Sequence, residues 1–115
     1  MHELGVVFHT IDEIKKIAKE NNVKKINSVT VEIGEVSTVI PYFFKDCWKW
    51  AVKKEEDVLK NAGIRIETIS AITYCEDCKK KYSTTEHGKI CPYCGSEHTY
   101  LYQGNEIIIK ELEVV

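Results

Sequence analysis

Hydrophobic residues recur at helical spacing in two stretches of the first half of the chain. Between Leu4 and Asn21 they fall three or four residues apart, on one stripe of a helix: Leu4, Val7, Phe8, Ile11, Ile14 and Ala18. A second stretch follows Pro41, whose missing N–H suits the first turn of a helix. This second helix is predicted to end at about Lys54 and to carry on one face Phe44, Cys47, Trp48 and Ala51. The pattern therefore predicts two amphipathic helices.

Three other segments have the patterns of β-strands. In the first, Val29, Val31 and Ile33 alternate with polar residues, and Gly34 marks its end. The second is predicted to run from Ile64 through Tyr74, and the third from Glu106 to Val114. The third strand is apolar on both faces, so we expect helices to cover one face and a partner to cover the other. Pairing with another chain, or an exchange of segments between protomers, would meet this need and is compatible with a homodimer, and the sequence leaves the oligomeric state open.

Length and charge narrow the class of protein. A chain of 115 residues with 43% hydrophobic residues has the material for one modest core. Its formal net charge of -2 argues against a nucleic-acid partner. No apolar stretch is long enough to cross a membrane, and the start Met1-His2-Glu3-Leu4 lacks the pattern of a signal peptide. These features predict a cytoplasmic protein.

Four of the five cysteines form two matched pairs. Cys75-x-x-Cys78 is followed, after twelve residues, by Cys91-x-x-Cys94. Each pair can form a knuckle that directs two sulfurs at one ion, and Gly95 relieves the backbone where the chain turns away. Four thiolates around tetrahedral Zn(II) leave no position for water, so the site is predicted to be structural. A redox dithiol is the competing interpretation, but it needs only one pair.

The cysteine region lies between the second and third predicted strands. We therefore predict an α+β fold: a small three-stranded sheet with two helices on one face, and a zinc-ribbon or knuckle lobe inserted before the last strand. Cys47 is left outside the pairs and is expected to pack in the core, while His87 and His98 are expected to be exposed loop residues.

The sequence can also be compared with what two other classes of protein require, a zinc-ribbon adaptor and an enzyme. The run Lys79–Lys81 with Tyr74, Tyr82 and Tyr93 would suit a zinc-ribbon adaptor that binds nucleic acid or protein. An enzyme is not indicated, because no Ser/His/Asp grouping, glycine-rich phosphate loop or open metal position is visible. The adaptor is kept as the alternative.

The N-terminus has the chemistry of a second metal site. His2 is expected to protect Met1 from removal, which would leave a free amine beside an imidazole. The Met1 amine, the His2 amide nitrogen and the His2 Nδ1 can close a five-membered and a six-membered chelate ring. Glu3 adds an amide nitrogen and a carboxylate. A planar set of nitrogen ligands suits Ni(II) or Cu(II).

These elements together resemble the HypA/HybF hydrogenase nickel-insertion proteins. The likeness covers the whole chain and rests on Met-His-Glu-Leu at residues 1–4, Val-Thr-Val-Glu-Ile-Gly-Glu at 29–35, the two cysteine pairs, and Gln-Gly-Asn-Glu at 103–106 before the last strand. The resemblance implies a nickel metallochaperone that delivers Ni(II) to the large subunit of a [NiFe]-hydrogenase, working with a maturation GTPase. It implies nickel binding at His2, with Met1 and Glu3 as companions, and structural Zn(II) at Cys75, Cys78, Cys91 and Cys94.

The resemblance also implies two domains. Residues 1–72 and 103–115 would form the nickel-binding domain, and residues 73–102 the zinc-binding domain. Some relatives carry a histidine directly after a Cys-x-x-Cys pair, where this chain has Lys79 and Gly95. A coupling of the two metals through such histidines is therefore not expected here.

Overall fold

The structure is a computed structural model that describes the backbone from His2 to Val115 and the side chains from Glu3 onward. The elements in chain order are α1 (His2–Glu20), β1 (Ile26–Gly34), α2 (Pro41–Lys53), β2 (Gly63–Ile69), β3 (Ile72–Cys75), β4 (Lys81–Ser83), α3 (Thr84–His87), β5 (Thr99–Gln103) and β6 (Ile107–Val114). They form two compact units. The first comprises Met1–Glu32, Val39–Glu67 and Ile108–Val115, and the second comprises Ile33–Thr38 and Thr68–Ile107.

The first unit contains the long helices and most of a three-stranded sheet with the order β2-β1-β6. Alternate residues of β1 are fully buried, as the sequence pattern predicts. The predicted α+β fold, with a three-stranded sheet, two helices and a metal lobe before the last strand, is confirmed. The last residues of β1 and β2 and the first residue of β6 belong to the second unit.

Both long helices bury the stripe that their sequences predict. The buried side chains of α1 include Val7, Ile11, Ile14 and Ala18, and those of α2 are Phe44, Trp48, Ala51 and Val52. Pro41 occupies the first turn of α2.

A left-handed residue ends α1. Asn22 has a φ of 54°, and the N–H of Val23 donates to the carbonyl oxygen of Ala18 over 2.9 Å. This is the Schellman arrangement, which satisfies carbonyl groups that the helix end would otherwise leave unpaired. After this turn the chain leads into β1.

The second unit contains an antiparallel sheet with the order β4-β3-β5. The sequence pattern did not indicate β4, β5 or the short α3, because these segments are brief and their residues are mostly polar or aromatic. In the register of this sheet, Tyr74 of β3 lies opposite Lys81 of β4 and Tyr100 of β5.

The predicted continuous strand from Ile64 through Tyr74 is wrong, because it breaks at residues 70–71. The N–H of Ala71 donates to Glu35 Oε1 over 2.9 Å instead of continuing a ladder. Gly104 has a φ of 116°, and a Cβ atom there would lie 2.4 Å from the Cα of Ala71. The close approach of these segments separates β2 from β3.

Candidate metal centre

The two Cys-x-x-Cys pairs form knuckles with the same backbone hydrogen bonds. In the first, the N–H of Lys79 donates to Cys75 O over 2.8 Å, and the N–H of Cys75 donates to Lys80 O over 3.0 Å. In the second, Gly95 donates to Cys91 O over 2.9 Å and Cys91 donates to Ser96 O over 3.0 Å. The repeated turn directs both cysteines of each pair toward one point.

The residue that follows each pair has a left-handed backbone. Gly95 has a φ of 75°, as its predicted role requires, and Lys79 at the matching position has a φ of 60°. A left-handed conformation costs a non-glycine residue about 1–2 kcal/mol, so the first knuckle carries strain that the second avoids.

The four sulfurs come together as one cluster. The Sγ atoms of the four cysteines all lie within 4.8 Å of one another. Cys75 Sγ is 3.6 Å from Cys94 Sγ, and Cys78 Sγ is 3.5 Å from Cys91 Sγ. Sulfurs in a tetrahedral zinc site with Zn–S bonds of about 2.3 Å lie about 3.8 Å apart. The spacing therefore fits a four-thiolate zinc ion.

Burial, backbone N–H groups and neighbouring sulfurs together shift the pKa values of these thiols. Burial raises the pKa of the Cys78 thiol, against the N–H of Lys80. Burial also opposes ionisation of Cys91, but the N–H groups of Cys94 and Tyr93 outweigh it and lower the pKa of Cys91 to about 7.

Cys94 shifts in the opposite direction. The N–H of Ser96 favours its thiolate, but desolvation and the neighbouring sulfurs raise the pKa of Cys94 to about 12. Four sulfurs this close do not ionise together unless a cation offsets their charge. The cluster is therefore suited to a bound dication.

A polar clasp on the surface connects the two knuckles. Asp77 of the first knuckle accepts hydrogen bonds from Ser96 Oγ and from His98 Nδ1, the latter over 3.0 Å. The hydrogen bond from Ser96, followed by that from His98, lowers the pKa of the Asp77 carboxyl group. His98 is 76% exposed, as predicted, but it is a partner of Asp77 rather than an isolated loop residue. Sequence spacing did not indicate this contact.

The residues of the predicted N-terminal site are only partly described. Met1 lies outside the described residues, as does the side chain of His2. The described structure begins α1 at His2 and buries Glu3, which is 9% exposed. The amides of His2 and Glu3 therefore belong to the first turn of α1.

Cys47 differs from its expected place in the core. It is only half-buried and lines a surface crevice with Leu4, Asp46 and Trp50. The other residues predicted on its face, Phe44, Trp48 and Ala51, are buried.

The aromatic surface required by the adaptor alternative does not form as expected. Tyr82 is buried, and its hydroxyl donates to Gly88 O over 2.8 Å. The ammonium groups of Lys80 and Lys81 lie over the rings of Tyr93 and Tyr102. Tyr82 is therefore not available for stacking on a base.

Comparison with known proteins identifies the family. The family model described as "Hydrogenase/urease nickel incorporation, metallochaperone, hypA" matches residues 1–114. The chain belongs to the HypA family. This is a metallochaperone family and not an enzyme family, and its match does not favour the adaptor alternative.

Individual HypA proteins are similar over nearly their whole length. The hydrogenase maturation factor HypA of Actinobacillus succinogenes is 31% identical, with 99% of each chain covered. That of Aquifex aeolicus is 32% identical, with 99% of this chain and 97% of the relative covered. The solution structure of the Ni metallochaperone HypA from Helicobacter pylori superposes with a TM-score of 0.77 at 28% identity, covering 98% of this chain and 97% of that one.

Among the described residues, no helix is both long and apolar enough to cross a membrane.

Proposed function

We propose that this protein carries Ni(II) at its N-terminus and delivers it, in the cytoplasm, to the large subunit of a [NiFe]-hydrogenase. A maturation GTPase of the same pathway would act with it. The observation that carries the proposal is the family match over residues 1–114, because the family is described by nickel incorporation. The relatives that match over nearly their full lengths are named hydrogenase maturation factors.

The nickel ligands in this proposal are His2, the Met1 amine and Glu3. Two features of the chain support them. A terminal amine, a histidine and adjacent amides supply the nitrogen-rich set that Ni(II) favours. The start of α1 at His2 places the amides of His2 and Glu3 together in the first turn of that helix. A site at a chain end also allows the ion to be released, which a carrier requires.

The zinc half of the proposal assigns a structural Zn(II) ion to Cys75, Cys78, Cys91 and Cys94. The sulfur spacing supports this assignment, and four protein thiolates leave no open position for chemistry. Such a site is typical of a reducing compartment, which agrees with the cytoplasm. We further propose that residues 73–102 act as the zinc-binding domain, and residues 1–72 and 103–115 as the nickel-binding domain.

The test uses protein with a native, untagged N-terminus. Bound zinc is measured by elemental analysis, and nickel is titrated into the wild type, His2→Ala and His9→Ala. His9 is a matched control because it lies on α1 and contacts Glu13 on the exposed surface. We expect one zinc ion per chain in all three proteins and loss of nickel binding only in His2→Ala.

Three contrary results would each remove one part of the proposal. Nickel binding that survives His2→Ala would move the site away from the N-terminus. Absence of nickel binding in the wild type would remove the carrier function. A change in zinc content in His2→Ala would show that the two metals share ligands, against the proposal of two separate sites.

A further inference from the structure

Each cysteine of one knuckle lies beside a cysteine of the other knuckle. Cys75 Sγ is 3.6 Å from Cys94 Sγ, and Cys78 Sγ is 3.5 Å from Cys91 Sγ. The two sulfurs of a disulfide are about 2.05 Å apart, so each pair needs to close by only about 1.5 Å. We call these the cross-knuckle pairs, and we call Cys75 with Cys78 and Cys91 with Cys94 the within-knuckle pairs.

The four cysteines differ in their exposure to solvent. Cys75 is fully buried and Cys91 is 2% exposed, whereas Cys78 is half-buried and Cys94 is exposed. Each cross-knuckle pair therefore combines a sheltered cysteine with a more accessible one. A small oxidant from solution reaches Cys94 first, and the sulfur of Cys75 is then in position to react with the oxidised product.

We propose that the cysteine cluster is a peroxide-sensitive site, in which oxidation joins the two cross-knuckle pairs as disulfides and releases the proposed Zn(II) ion. Metal-bound cysteines are deprotonated, and the thiolate is the form of cysteine that hydrogen peroxide oxidises. The inference rests on the proposed zinc site, and it does not depend on nickel binding.

Each disulfide forms in two steps. The Cys94 thiolate attacks one oxygen of hydrogen peroxide, the O–O bond breaks and hydroxide leaves, which gives a sulfenic acid. The Cys75 thiolate then attacks the Cys94 sulfur, the S–O bond breaks and a second hydroxide leaves. Two sulfurs are oxidised and one peroxide molecule is reduced. Cys78 and Cys91 react with a second peroxide molecule in the same way, after which no thiolate remains to hold the ion.

The folded cluster, rather than distance along the chain, selects the cross-knuckle pairs. Their members are 19 and 13 residues apart in the sequence, whereas those of the within-knuckle pairs are three apart. In an unfolded chain the entropy of loop closure therefore favours the within-knuckle pairs. In the folded protein the clasp of Asp77 with Ser96 and His98 also connects the two knuckles. Oxidation before zinc leaves should thus give a different pairing from oxidation after zinc has been removed.

The test oxidises the Cys47→Ser protein with hydrogen peroxide from two starting states. Cys47 lies outside the cluster, and its replacement removes the fifth thiol as an alternative disulfide partner. One sample is loaded with zinc, and the other is stripped with a strong chelator and kept reduced until peroxide is added. A coloured chelator measures the zinc that is released from the loaded sample.

Mass spectrometry of unreduced tryptic fragments identifies the disulfides. Trypsin cuts at the lysines that lie between the two knuckles, Lys79–Lys81 and Lys89. Cross-knuckle disulfides therefore join two fragments, whereas within-knuckle disulfides leave them separate. Fragmentation of the joined product assigns each cysteine to its partner.

We expect the zinc-loaded protein to lose its zinc, with about two peroxide molecules consumed per ion, and to form the cross-knuckle disulfides. The stripped protein should form mainly the within-knuckle disulfides. A reductant and added zinc should restore one zinc ion per chain to the oxidised sample. The same pairing from both states, any other pairing in the zinc-loaded protein, or sulfinic acids in place of disulfides would overturn the inference.

The wild type and a trapping reagent test the order of events. Wild-type protein should release zinc at the same rate as Cys47→Ser, and release that requires Cys47 would place the reactive pair elsewhere. Dimedone, which captures sulfenic acids, should label Cys94 before Cys78, and the reverse order would contradict the first step. Protein that holds no zinc before oxidation would remove the proposed zinc site itself, whereas zinc that stays bound in peroxide would overturn only the redox inference.

Discussion

Two tryptophans of α2, separated by one residue, have opposite environments. Trp48 is fully buried, stacks at 18° on Phe44 and donates its indole N–H to Ala62 O over 2.9 Å. Trp50 is half-exposed and contacts Phe8 and Lys54. Because successive helical residues are rotated by about 100°, the two side chains point to nearly opposite sides of α2, so Trp48 packs in the core while Trp50 lies at the surface.

The two residues should therefore respond differently to the same substitution. Trp48→Phe removes the indole N–H and leaves the buried carbonyl of Ala62 without its donor, which should lower the free energy of unfolding by about 1–3 kcal/mol. Trp50→Phe should change it by less than about 0.5 kcal/mol. Chemical denaturation of both variants measures the difference. Similar losses in the two proteins would contradict the assigned environments.

The two Cys-x-x-Cys knuckles favour a bound cation between their four sulfurs. Their backbone N–H groups point at the sulfurs, yet the pKa values of Cys78 and Cys94 are raised above the usual range of a thiol. These two groups therefore carry protons at neutral pH when no metal is bound, and a metal must displace them. The proposed Zn(II) ion would therefore bind in exchange for protons.

Zinc binding should accordingly release at least two protons near neutral pH and weaken as the pH falls. Lower pH adds protons that compete with the ion, so the apparent affinity should drop roughly 100-fold per pH unit where two protons are displaced. Calorimetry in buffers with different heats of ionisation counts the protons, and competition with a coloured chelator measures the affinity. An affinity that does not change between about pH 6 and pH 7.5 would rule out this exchange.

At the scale of the whole molecule, the two units differ in what stabilises them. The first buries many large aliphatic and aromatic side chains, among them Ile11, Ile14, Val29, Phe44 and Trp48. In the second, the buried residues between β3 and the second knuckle are mainly Cys75, Tyr82 and Cys91, with Cys78 packed against them. So small an apolar cluster cannot offset the chain entropy of its unit without a metal.

Removal of zinc should therefore unfold the second unit and leave the first folded. With a strong chelator and a reductant present, hydrogen exchange should accelerate across β3, β4 and β5. The central amides of β1, such as those of Val29 and Val31, should stay protected because their side chains are fully buried. Mass spectrometry of proteolytic fragments resolves the two regions. Equal acceleration in both would mean that the chain unfolds as one cooperative body.

Local pattern alone was sufficient to predict much of this protein. The stripes of α1 and α2, the alternation in β1 and the two Cys-x-x-Cys pairs all depend on residues within a few positions of one another. Because helix and strand periods and the reach of a knuckle are set by backbone geometry, they can be read from spacing. The nickel site at Met1, His2 and Glu3 was likewise predicted from residues adjacent in the sequence, and it stays a prediction.

Contacts between residues that are far apart in the sequence determine the structural features that spacing did not predict. The break between β2 and β3 depends on contacts of Ala71 with Glu35 and Gly104. In the sequence, Glu35 lies far before Ala71 and Gly104 lies far after it. The clasp of Asp77 with Ser96 and His98 joins the two knuckles, so the spacing within either knuckle does not reveal it. Cys47 shares the predicted face of α2 with buried residues, yet the way α1 packs leaves it at a surface crevice. Sequence spacing places residues on a face of their own element, but only tertiary packing determines what that face meets.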